Sequence, residues 1–155
     1  ARKRPEALFY TARRGELLDK ALRLSRRLGL NLETYWFSEL GALRRFLVNS
    51  YVGLTTSTVS PARRFGYPAK LFEYMSAGLP IVANIVGGWT DIIRREGIGL
   101  ICPAEPTELA DAICWLLDDE DMVMKMGLKC LELVKGPFSW RASARKMLRA
   151  YELAA

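Results

Sequence analysis

Gly66, Lys70 and Glu73 are the residues whose types and spacing point most directly to chemistry. They lie in PARRFGYPAKLFEYMSAGLPIVAN, residues 61–84. A loop with Gly66 and Pro68 runs into a short helix, predicted from Ala69 to Ala77. Gly78 stops that helix, Leu79-Pro80 turns the chain, and Ile81-Val82-Ala83 reads as an apolar strand. The first amides of a helix have no partner inside it and carry the positive end of its dipole, so the junction suits an anion. Gly66 permits positive φ and lets a ligand approach the backbone closely. Pro68 suits the first turn, where its missing N–H costs nothing. Lys70 stands where the dipole disfavours a cation by a few tenths to about 1 kcal/mol. A residue set against its local preference is a pointer to function. Glu73 shares a helix face with Lys70 and is placed to meet the same ligand; the plain alternative is a solvated i,i+3 ion pair.

The elements around this stretch alternate. Ala7 to Thr11 reads as a strand. A helix follows Arg13-Arg14-Gly15, with Leu17, Ala21, Leu24 and Leu28 as its apolar stripe and Gly29 at its end. Leu32 to Phe37 is the next strand, then a helix from Glu39 to Val48 capped by Ser38, then a strand over 51–55. After the strand over 80–83 come Gly87-Gly88, a helix start at Asp91, and a turn with a last short strand within Gly97 to Pro103. Helices are expected over 105–117 and 120–134, the acidic run Asp118 to Asp121 serving as a helix start rather than a metal site. The last helix opens at Phe138-Ser139-Trp140, with Trp140, Ala144, Met147, Leu148 and Tyr151 as its stripe. Such alternation predicts an α/β fold, a doubly wound Rossmann-like parallel sheet with helices on both faces. Ligands of such sheets bind at the carboxyl ends of the strands, where the 60–69 loop falls.

The string Gly66 to Val82, with Lys-x-x-Glu, Gly-x-Pro and an apolar strand in register, resembles the donor-site segment of GT-B nucleotide-sugar glycosyltransferases. More narrowly it resembles the large, mainly retaining family with many cell-surface polysaccharide and mannosyl transferases. The resemblance implies that Glu73 binds the ribose hydroxyls of a sugar nucleotide. It also implies that the backbone from Gly66 to Lys70, with Lys70 itself, meets the diphosphate. Gly87-Gly88 resembles the family's Gly-Gly loop near the donor sugar and diphosphate, with Asp91 where Glu is usual; capping and dipole effects explain an Asp there equally well. Many members carry a further Glu eight positions before Glu73 that contacts the transferred sugar. Here that residue is Phe65, expected to line the pocket without a polar contact. The resemblance covers the later part of the donor-binding C-terminal half, residues 1–155 forming a single incomplete domain without the N-terminal acceptor domain. Thr11 to Gly15 then stands at the Gly-rich turn of the family's second βα unit; a less favoured alignment puts Arg13 or Arg14 in place of the Arg of the preceding unit.

The 155 residues are enough for one core, half of them apolar and 26% charged, as in ordinary globular proteins. There is no histidine, which excludes a Ser-His or Cys-His hydrolase within this chain. Cys102, Cys114 and Cys130 lie in apolar patterns and read as buried, reduced thiols of a cytoplasmic protein. No apolar run reaches the roughly 20 residues needed to span a bilayer. The absence of Met at position 1 suggests an excised or truncated piece. Residues 1–70 hold 14 Lys/Arg against 5 Asp/Glu, while residues 71–155 hold 9 against 12. A basic half suits phosphates or a peripheral contact with anionic lipid, or is simply a solvated surface. The Lys20, Arg23 and Arg27 stripe lacks the aromatic interleaving of a nucleic-acid binder, so nucleic acid is not expected.

Two functions follow. One is the donor-binding part of a hexosyltransferase using a nucleotide-sugar such as a UDP- or GDP-sugar. It would need no metal or other cofactor, would act on a glycan, lipid-linked or protein acceptor, and would work with an N-terminal domain or partner subunit. The other is a non-catalytic nucleotide-binding or interaction module acting with a partner subunit.

Overall fold

The computed structural model describes residues 4–11, 17–58, 60–61 and 65–154. Arg13, Arg14 and Gly15, and part of the loop before Phe65, lie outside the described residues. The elements in order are β1 (Leu8–Thr11), α1 (Leu18–Leu28), β2 (Asn31–Thr34), α2 (Leu40–Leu47) and β3 (Gly53–Thr55). They continue with α3 (Ala69–Ser76), β4 (Ile81–Asn84), α4 (Gly88–Glu96), β5 (Gly99–Cys102), α5 (Pro106–Asp118), α6 (Glu120–Lys135) and α7 (Trp140–Ala154). Contacts divide the chain into two units, residues 1–45 and 46–155.

In the first unit β1 and β2 run parallel, Leu8 opposite Asn31 through Thr11 opposite Thr34. The second strand is shorter than its β-prone sequence suggests, although Tyr35 N–H still donates to the Thr11 carbonyl. Gly29 ends α1 with φ 64°, as a left-handed cap requires. The face of α1 differs from expectation. Leu17, Leu24 and Leu28 are exposed, whereas Leu18 and Leu22 are half-buried and Ser25 is buried, its hydroxyl donating to the Leu22 carbonyl. Two apolar sets one residue apart both fit a 3.6-residue repeat, and periodicity alone does not choose between them.

The second unit holds a parallel sheet in the order β3-β4-β5, with Gly53 opposite Ile81 and Ile81 opposite Gly99. All four side chains of β4 are buried, as expected for a central strand covered on both faces. Alternation sends Ile81 and Ala83 to one core with Leu71 and Met75 of α3, Ile92 and Ile93 of α4, and Cys130 and Leu133 of α6. It sends Val82 to the other, with Leu54, Leu100, Leu116 of α5 and Met126. The sheet therefore carries helices on both faces. The parallel strands and crossover helices agree with the doubly wound expectation, but among the described residues they form two sheets, one per unit.

Asp119 caps α6, its Oδ1 accepting from Met122 N–H at 2.9 Å, and Ser139 caps α7 through Ala142 N–H. Phe138 packs on Phe72 with ring centroids 6.0 Å apart, yet α7 buries none of its residues and Trp140 is 91% exposed. Cys102 and Cys130 are buried; Cys114 is only half-buried, contrary to expectation. Among the described residues no helix is long and apolar enough to cross a membrane.

Candidate functional site

α3 follows β3 and α4 follows β4, so both helices begin at the carboxyl edge of the three-stranded sheet. Pro68 occupies the N-cap of α3 with φ −70° and ψ 130°, one position earlier than the sequence suggested, and no side chain caps the helix. Leu71 N–H turns back to the Pro68 carbonyl at 3.0 Å. Gly87 is the extended N-cap of α4, again without a side-chain cap. Its carbonyl accepts both the N–H and the hydroxyl of buried Thr90, at 2.9 and 2.6 Å, which fixes the peptide entering the helix. α1 and α5 also start without side-chain caps. α5 also begins at this edge, after β5, and the glycine-bearing loops that precede α3 and α4 set those two apart from it.

Lys70 and Glu73 are both half-buried, and no ion pair joins them. Gly53 N–H bonds to the Pro80 carbonyl of the β4 segment, so the alternation of a parallel strand turns Leu54 to the other edge of β3. There the Leu54 carbonyl accepts from Tyr74 Oη at 3.3 Å and from Lys70 Nζ at 3.5 Å. Burial and the neighbouring Glu73 carboxylate raise the Tyr74 phenol above its ordinary value, so it stays a donor. Gly53 is required beneath this ring, because a Cβ there would collide with the Tyr74 side chain. Lys70 is thus oriented by β3, and the Glu73 carboxylate has no hydrogen bond or ion pair among the described residues.

Gly66 and Phe65 are exposed, Phe65 by 85%. Gly29, Gly78 and Gly97 take positive φ, whereas Gly66 does not. What Gly66 offers a ligand is its missing side chain rather than an unusual dihedral. Gly88, the first residue of α4, faces open space: a Cβ built on it meets no atom within 4 Å. Neither packing nor φ demands glycine there. Asp91 is exposed in the first turn of α4 and approaches Arg94 at 4.0 Å, the helix-start role that capping and dipole effects gave it.

Three residues at this edge had not been singled out from sequence. Tyr74 anchors Leu54. Asn84 ends β4 almost fully buried and bonds to the backbone of Ser57. Thr55 Oγ1 at the end of β3 is buried without a hydrogen-bond partner among the described residues. A polar residue closing the apolar run Ile-Val-Ala-Asn was the available signal for Asn84.

The family model for glycosyl transferases group 1 matches residues 1–119. The chain belongs to this family. Over 96 residues it is 34% identical to a D-inositol 3-phosphate glycosyltransferase of Nocardia farcinica, an alignment covering 61% of this chain and 21% of that protein. Over 76 residues it is 30% identical to a GDP-mannose-dependent alpha-(1-6)-phosphatidylinositol monomannoside mannosyltransferase of Mycobacterium tuberculosis, covering 48% of this chain and 20% of that one. The sucrose-phosphate synthase of Thermosynechococcus elongatus superposes with a TM-score of 0.75 at 24% identity, over 88% of this chain and 34% of that structure. The chain therefore spans about a fifth of the length of these curated relatives. As a group 1 glycosyl transferase it has the Rossmann-like α/β fold of a GT-B C-terminal domain, in part.

Proposed function

We propose that this chain binds a nucleotide-diphospho-sugar as the donor-binding part of a glycosyltransferase that moves a hexosyl group to a glycan, lipid-linked or protein acceptor. The observation that carries this reading is the Glu73 carboxylate, without a hydrogen bond or ion pair among the described residues, one turn into α3 from an uncapped N-terminus that also bears Lys70. A carboxylate accepts hydrogen bonds from a pair of hydroxyls, as ribose presents. The first amides of α3 and the Lys70 ammonium supply donors and positive potential to a diphosphate. Gly66 lets the phosphates close on the backbone. Gly87 and Gly88 bring a second helix N-terminus to the diphosphate and the sugar, and Phe65 borders the sugar without a polar contact.

In the transfer, the bond from the anomeric carbon to the diphosphate breaks and negative charge grows on the departing oxygens. Fixed dipoles and a cation aimed at those oxygens favour the transition state over the ground state. The reading needs no metal ion, because helix ends and Lys70 supply the positive potential. The acceptor side belongs to an N-terminal domain or a partner subunit, and the unburied stripe of α7 is the surface for that contact.

Isothermal titration of the protein with UDP, GDP and ADP, beside Glu73→Ala and Lys70→Ala, tests the reading. Micromolar to low-millimolar binding of one diphosphate, lost in Glu73→Ala, is expected, and it names the base. Equal binding by the wild type and Glu73→Ala, or no binding by the folded wild type, overturns it.

A further inference from the structure

Asn84 is the last residue of β4 and is 1% exposed. Its carboxamide works in both directions on one residue 27 positions away: Ser57 N–H donates to Asn84 Oδ1 at 2.8 Å, and Asn84 Nδ2 donates to the Ser57 carbonyl at 2.8 Å. The backbone groups dictate which end of the amide is which, since an N–H only donates and a carbonyl only accepts. β3 ends at Thr55, two residues before Ser57. The side chain of Asn84 therefore replaces one further rung of the β3–β4 ladder, at the point where the chain leaves the sheet for the loop into α3. No other side-chain type of this length offers a neutral donor and acceptor in one plane.

We infer that Asn84 is a positioning residue for the donor site. It pins the backbone at Ser57, where the chain leaves β3, to the carboxyl edge, so that Gly66 further along meets the diphosphate in one fixed arrangement. The inference rests on the donor-site reading of α3. Asn84 touches no ligand itself, and Glu73 lies on α3, which Leu71 and Met75 anchor in a core cluster that does not include Asn84. Loss of the Ser57 bonds is therefore felt by the diphosphate and not by the nucleoside.

The test compares nucleoside and nucleoside diphosphate of the base the wild type prefers, by titration and NMR shift, in wild type, Asn84→Ala, the near-isosteric Asn84→Asp and Glu73→Ala. Asn84→Asp keeps an acceptor for Ser57 N–H but has no donor for the Ser57 carbonyl, and it preserves the packed shape should Asn84→Ala fail to fold. Both Asn84 variants are expected to lose roughly tenfold in diphosphate affinity, the scale of one buried hydrogen-bonded contact, with nucleoside affinity unchanged and faster amide exchange at Ser57. Glu73→Ala loses both ligands. Diphosphate affinity within twofold of wild type in a folded Asn84 variant overturns the inference, as does an equal loss for nucleoside and diphosphate, which marks a merely structural role. If Glu73→Ala binds like wild type, or the wild type binds neither ligand, the donor-site reading has failed and the inference falls with it.

Discussion

Lys70 and Glu73 stand three residues apart on one face of α3 and do not pair: the ammonium turns to the Leu54 carbonyl at 3.5 Å, and the half-buried carboxylate has no hydrogen bond or ion pair among the described residues. The i,i+3 ion pair open from the sequence is thus not formed. A side chain with no hydrogen bond or ion pair among the described residues can be removed at little cost. Glu73→Ala is expected to shift unfolding free energy by no more than about 0.5 kcal/mol, as for other changes without buried contacts. The same variant should lose nucleoside diphosphate affinity tenfold or more. Urea denaturation and titration on one preparation check both halves.

Gly88→Ala separates stability from binding in the opposite sense. Its Cβ would meet nothing in the protein, and φ is not positive. Alanine in the first turn of α4 restricts the unfolded chain, so stability should hold or rise by about 0.4–1 kcal/mol. If a donor lies against this backbone, the added methyl should weaken its binding several-fold. Thermal unfolding with and without the diphosphate measures both. Unchanged affinity would remove Gly88 from the site.

The legible parts of this chain were those with a one-dimensional signature. Glycines at 29 and 78, the Asp119 and Ser139 caps and the buried run 81–83 each act within a few residues, and each sits where its local chemistry put it. The stripe of α1 was misplaced by one residue because Leu17, Leu18, Leu22 and Leu24 satisfy two helical phases at once. Tyr74 and Asn84 escaped notice for a different reason. Their partners, Leu54 and Ser57, are 20 and 27 residues away; the packing of α3 on β3 brings the first pair within reach, and the parallel pairing of β3 with β4 the second. Type and spacing singled out Lys70 and Glu73, but not the Leu54 carbonyl that the Lys70 ammonium meets.

Cys130 should make the protein sensitive to alkali. The thiol is fully buried, donates to the Leu79 carbonyl at 3.4 Å, and is pushed by burial from 9.0 up to about 12. An unfolded thiol releases its proton near 9 while the folded one keeps it, so between these values the unfolded state binds fewer protons. Stability is then whole below pH 9 and falls as pH rises toward 12, at about 1.4 kcal/mol per pH unit. The raised Tyr74 phenol acts with the same sign. Cys130→Ala should flatten the fall between pH 9 and 11 in urea midpoints, and wild-type Cys130 should react with thiol reagents more slowly than half-buried Cys114.

Leu71 and Leu148 test the difference between a helix that builds the core and one that does not. Leu71 on α3 is completely buried among Met75, Ile81 and Ile93, whereas Leu148 on α7 is 62% exposed. Truncating a leucine in a packed core removes its transfer free energy and leaves a cavity, at about 2–5 kcal/mol. Truncating one already in water removes neither, and about 0.5 kcal/mol bounds the effect. Leu71→Ala should therefore destabilise the protein severely, and Leu148→Ala should leave the denaturation midpoint in place. If Leu148→Ala is as costly as Leu71→Ala, α7 is packed in solution against a surface of this protein or of a second copy. The concentration dependence of the midpoint tells those two apart, because only association makes stability depend on protein concentration.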